Sequence, residues 1–119
     1  MNRQTKRFRR TTDTLGVIVL KKPDFDTFRA IFLACLGRHN SSALEVSQWQ
    51  ELGGIELRRQ ILESVNKKLI EGWGLSFEVN SRLLQLAGPV ESVIIQAYHE
   101  FNTIFMMEKI NKKIRARLN

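Results

Sequence analysis

The chain is poor in the residues on which most site chemistry is built. It has one cysteine, two histidines and two prolines among 119 residues. A single cysteine excludes an intramolecular disulfide framework and a cysteine-based zinc site. His39 and His99 stand far apart, with no cysteine or carboxylate at ligand spacing, so neither a metal nor another cofactor is expected. No glycine-rich phosphate loop, nucleophile elbow or usefully spaced carboxylate pair occurs, and enzymatic activity is not expected. No apolar run approaches the ~18 residues of a membrane span. The apolar stretch Leu15–Leu20 is too short for a signal-peptide core and no small-residue cleavage pattern follows it, so a cytoplasmic location is expected.

What is present suits one globular domain. The composition is 43% hydrophobic and 26% charged, and the length matches a single domain. The charge is unevenly placed. There are 19 Lys and Arg against 12 Asp and Glu, a formal net charge of +7. Arg3, Lys6, Arg7, Arg9 and Arg10 give residues 1–10 five bases and no acid, and Lys109, Lys112, Lys113, Arg115 and Arg117 do the same for residues 109–119. The stretch between them is slightly acidic. Basic termini of this kind attract phosphate through counterion release, largely irrespective of sequence. They equally suit an acidic protein or an anionic membrane surface, or simply remain in solvent.

Along the chain, Leu15–Lys21 is β-branched and apolar before Lys22-Pro23 and predicts a short strand. Asp24 opens a helix whose apolar set Phe25, Phe28, Ile31, Phe32, Cys35 and Leu36 shares one face, with Gly37 as its end. Cys35 on that face reads as a small buried thiol. Ser42-Ala43-Leu44-Glu45 has the form of a capping box for a short second helix through Leu52. Gly53-Gly54 breaks it. A third helix is predicted over Ile55–Glu71, with Leu57, Ile61, Leu62, Val65 and Leu69 inward, Gly72 as cap, and Arg58 snorkelling to the rim. Leu75–Val79 alternates apolar and polar, Asn80-Ser81 offers a turn, and Arg82–Leu86 follows, which together predict a β-hairpin. After Ala87-Gly88-Pro89 nothing interrupts a helical pattern to Leu118.

Three helices with a glycine-containing turn before the third and a hairpin after it, over Asp24–Leu86, resemble a winged helix-turn-helix DNA-binding domain. The resemblance implies a mainly α fold with a small β-hairpin. It comprises a basic arm (1–14), a winged-helix-like domain with a short N-terminal strand (15–88), and a long C-terminal helix (89–119). It further implies a DNA-binding protein, such as a transcription regulator or mobile-element accessory factor. The third helix would meet the major groove of double-stranded DNA through Arg59, Gln60, Asn66 and Lys67. Arg82 would touch phosphate from the wing, and Arg3, Lys6, Arg7, Arg9 and Arg10 would add contacts from the arm.

The last helix carries a separate signal. Val90, Val93, Ile94, Ala97, Phe101, Ile104 and Phe105 share one face, but beyond Phe105 the apolar residues Met107, Ile110, Ile114 and Leu118 lie on a face rotated by roughly 90° at 100° per residue. A helix that overhangs its domain with an unused apolar stripe predicts a partner. A second copy, giving a homodimer, is the simplest one. The alternative to DNA binding is a helical protein–protein interaction module (an adaptor, secretion-related or inhibitor protein). An RNA- or ribosome-binding protein gripping through both basic ends is a third possibility.

Overall fold

The computed structural model describes residues 11–12, 18–19, 21–39 and 48–118, with side chains from 21–39 and 48–114. Among these residues β structure is confined to a two-residue antiparallel pair, β1 (Thr11–Thr12) with β2 (Ile18–Val19), in the register Thr11 opposite Val19. Four α-helices follow: α1 (Phe25–His39), α2 (Ile55–Trp73), α3 (Ser81–Leu84) and α4 (Val90–Leu118). A 3-10 turn at Trp49–Glu51 precedes α2. The basic arm at 1–10, the proposed capping box at Ser42–Glu45 and the first part of the predicted second helix lie outside the described residues, and its described end is the 3-10 turn.

Local chemistry sets the helix ends. The Asp24 carboxylate accepts from the Thr27 main-chain N–H at 2.8 Å, so it caps α1. That bond and one from the Thr27 side chain hold the carboxyl below its ordinary pKa. The helix then passes through Gly37 and ends at His39. Gly53 turns the chain into α2 at φ 65°, where a Cβ would stand 3.2 Å from Leu57 Cδ2. At the other end the left-handed residue is Gly74 (φ 77°), whose N–H reaches the Ile70 carbonyl at 2.9 Å. The helix therefore continues past Gly72, the expected cap.

The core lies between α1, α2 and α4. It takes Phe28, Phe32, Cys35 and Leu36 from α1, and Ile61, Leu62, Val65 and Leu69 from α2. From α4 it takes Val93, Ile94, Ala97 and Phe101. Phe28 is the hub, with ring centroids 5.0 Å from Tyr98, 5.9 Å from Phe101 and 6.1 Å from Phe77. Trp49, fully buried, ties the 3-10 turn to α3 by donating from Nε1 to the Leu83 carbonyl at 2.8 Å. Arg29 and Glu91 join α1 to the start of α4 in a two-pronged pair, with Nε to Oε2 at 2.6 Å and Nη2 to Oε1 at 3.2 Å.

The predicted hairpin does not form, and the winged-helix-like architecture is corrected with it. Among the described residues no strand follows α2. Residues 75–80 form no helix or strand, and Asn80-Ser81 starts α3 instead of turning a hairpin. Two interactions decide this. The Asn66 side-chain amide of α2 takes both main-chain groups of Phe77, donating from Nδ2 to the carbonyl at 2.8 Å and accepting from N–H at 3.0 Å. This amide stands where a neighbouring strand would pair. Asn80 then caps α3, its side chain accepting from Leu83 N–H at 3.0 Å. The consecutive residues Leu83 and Leu84 are both buried, which a helical turn permits and a strand of a hairpin with one face in solvent does not.

Candidate interaction surface

The residues expected to read DNA are not gathered into one basic face. Arg58 does not snorkel. It is 8% exposed, and its Nη1 donates to the carbonyls of Gln50 at 2.9 Å and Gly53 at 3.4 Å, bracing the turn into α2. Asn66 is occupied by Phe77. Arg59, on the outer side of α2, pairs with Glu56 at 3.5 Å. Gln60 and Lys67 are exposed beside Glu63. Arg82 sits in α3 and not on a wing, 3.7 Å from Glu100. The outer face of α2 is thus a solvated surface of both signs. Arg3, Lys6, Arg7, Arg9 and Arg10 lie outside the described residues.

A shallow polar groove of about 440 Å³ runs between residues 78–82 and α4, bordered by Glu78, Arg82, His99 and Glu100. Glu100 is held by Asn80 Nδ2 at 3.1 Å and by Arg82. Among the described residues no group of three His, Cys, Asp or Glu side chains is placed to hold a metal. Cys35 is buried, and burial pushes its thiol pKa up against the smaller opposing pull of Arg38 and Lys68. His39 Nε2 lies 2.6 Å from Ser64 Oγ across α1 and α2, on the molecular surface.

The second half of α4 is different in kind. Burial on this helix stops at Phe105, and no residue from 106 to 114 is buried. Met106, Met107, Ile110 and Ile114 are each between 48% and 54% exposed. At 100° per residue these four share one arc of roughly 100°. Leu118, expected on the same stripe, closes the helix, and its side chain lies outside the described set. Lys109 and Lys113 flank one edge of the arc, within roughly 60° of it. Lys109 Nζ also stands 5.7 Å from the centre of the Phe105 ring, so its stem covers the last buried residue. Glu108 and Lys112, 3.9 Å apart, lie on another side.

The sequence pointed to Met107, Ile110 and Ile114 but passed over two members of this face. Met106 is one turn before Ile110, and Ile95 is exposed further back on the same side. Both sit beside residues that pack in the core, which masked them in a pattern read for burial alone. The first half of α4 is anchored through Lys22, which donates to Asn102 Oδ1 at 2.7 Å, and through Tyr98 OH, which donates to the Pro23 carbonyl at 3.1 Å. The exposed half is therefore carried on a fixed base. No helix among the described residues is long and apolar enough to cross a membrane.

No family model, curated protein or solved structure matches this sequence.

Proposed function

We propose that the protein is a helical protein–protein interaction module that docks through the second half of α4. The observation that carries this reading is the run Met106, Met107, Ile110 and Ile114, about half exposed on a helix whose preceding turns are fixed in the core. Isolated exposed apolar residues are ordinary, whereas an aligned stripe of them marks an interaction site. The small helical body holds the rod in place, and the bases from Lys109 onward give its end a preference for anionic surfaces.

The DNA-binding reading draws less support. Of its helix and wing residues, Asn66 is taken up by Phe77, while Arg59 and Arg82 each stand beside a carboxylate. That leaves Gln60, Lys67 and the basic ends, which would give affinity for phosphate without sequence readout.

The test compares the tagged full chain with the Ile110→Asp/Ile114→Asp variant in co-purification from its native cells, with and without nuclease. Partners that drop at least tenfold with the variant and withstand nuclease support the reading. Association that ignores the variant but vanishes with nuclease or raised salt replaces it with nucleic-acid binding.

A further inference from the structure

Deepening the docking reading, on which it rests, we propose that the occupant of the α4 stripe is an acidic amphipathic helix of a different protein, with apolar residues at 3-4 spacing flanked by Asp and Glu. Three observations converge. First, the stripe has helix-on-helix form. Met107, Ile110 and Ile114 repeat at 3 and 4 residues, the spacing that lets ridges of one helix enter grooves of another. Second, half of the stripe is methionine, whose unbranched thioether adapts to a partner's shape. No aromatic residue lies in 106–119 to anchor the helix at a lipid headgroup layer.

Third, charge discriminates between occupants. The stripe's charged edge holds Lys109 and Lys113, and residues 109–119 hold five bases and no acid. In an antiparallel dimer of identical helices each edge packs against its own copy, so lysines would meet lysines; in a parallel dimer the lysine edge packs against the opposite edge of the stripe, where the flanking residue, Asn111, offers no negative charge. The carboxylates on α4 outside its first turn are Glu100, engaged by Asn80 and Arg82, and Glu108, paired with Lys112 within the helix. Neither lies on that edge to relieve the repulsion. A partner helix with Asp or Glu at its flanks meets both lysines with opposite charge and covers the apolar residues at once.

The experiment titrates the full-length protein into two fluorescein-labelled synthetic helices of about three heptads with the same leucine stripe, one flanked by Glu and one by Lys. The expected result is a preference for the Glu-flanked helix of about tenfold or more at low salt, shrinking as salt screens the edge. Ile110→Asp/Ile114→Asp abolishes binding, and Lys109→Glu/Lys113→Glu reverses the preference; Ile70→Asp, on exposed α2 surface, changes neither. Circular dichroism confirms that each variant is folded. Equal binding of both helices, or of neither, overturns the proposal. So does a concentration-dependent dimer in sedimentation that Ile110→Asp/Ile114→Asp dissolves, or stripe-dependent binding to phosphatidylserine vesicles in place of either peptide. Those last two results leave docking through α4 standing with another occupant. If the stripe variant alters no association of any kind, the docking reading fails together with this one.

Discussion

Replacing Asn66 with alanine removes both hydrogen bonds that hold the Phe77 main chain, the donor at 2.8 Å and the acceptor at 3.0 Å. Each such bond contributes about 1 kcal/mol net, and a main-chain group left without a partner beside a buried side chain costs somewhat more. Phe77 is buried and packs on Phe28 at the hub of the core, so the segment cannot swing into water without losing that packing. The expected loss is about 2–3 kcal/mol, or a fall of about 10 °C in Tm for a domain of this size. Asn66→Asp keeps an acceptor for the Phe77 N–H but sets a carboxylate oxygen against the Phe77 carbonyl, so it recovers at most one of the two bonds. Urea unfolding followed by far-UV circular dichroism measures both, with Gln60→Ala and Lys67→Ala on the same helix as controls expected within about 0.5 kcal/mol of the parent. An Asn66→Ala variant as stable as those controls would refute the view that this amide replaces a neighbouring strand.

Trp49→Phe removes the donor to the Leu83 carbonyl and leaves a void in a fully buried position, so it is expected to cost about 2–3 kcal/mol in the same unfolding assay. The Cys35 thiol, buried and pushed toward its protonated form, is expected to react with a thiol reagent far more slowly in the native protein than in urea; equal rates would show that the site is open. Asp24 titrates below its ordinary value of 3.8 because it accepts from Thr27, so its carboxylate stabilises the fold at pH values above the unfolded pKa. That stabilisation is lost as pH falls through the lowered native pKa. The stability difference between the parent and Asp24→Ala is therefore expected to be constant at neutral pH and to shrink in acid, and a difference that grows in acid would reverse the assignment. Ile110→Asp and Ile114→Asp, at exposed positions, are expected to leave Tm unchanged while altering association.

The sequence by itself determined the features that depend on neighbours within a few turns. The 3.6-residue period placed the cores of α1, α2 and α4, and the run after Pro89 has nothing in it to stop a helix before Leu118. The rotation of apolar character beyond Phe105 marked the exposed stripe for the same reason, since it follows from angles along one helix. Tertiary structure alone decided the rest. Leu75–Val79 carries a genuine strand alternation, but a strand needs an edge to pair with, and the Asn66 amide eleven residues away takes the main-chain groups of Phe77 first. Along the sequence Arg58 reads as a side chain snorkelling to the rim of the core and Asn66 as one free to meet a ligand. Their partners, the carbonyls of Gln50, Gly53 and Phe77, are main-chain atoms that have no signature in the identity of those residues. Periodicity fixes which side of a helix turns inward, whereas the use of a polar side chain depends on which backbone the fold brings against it.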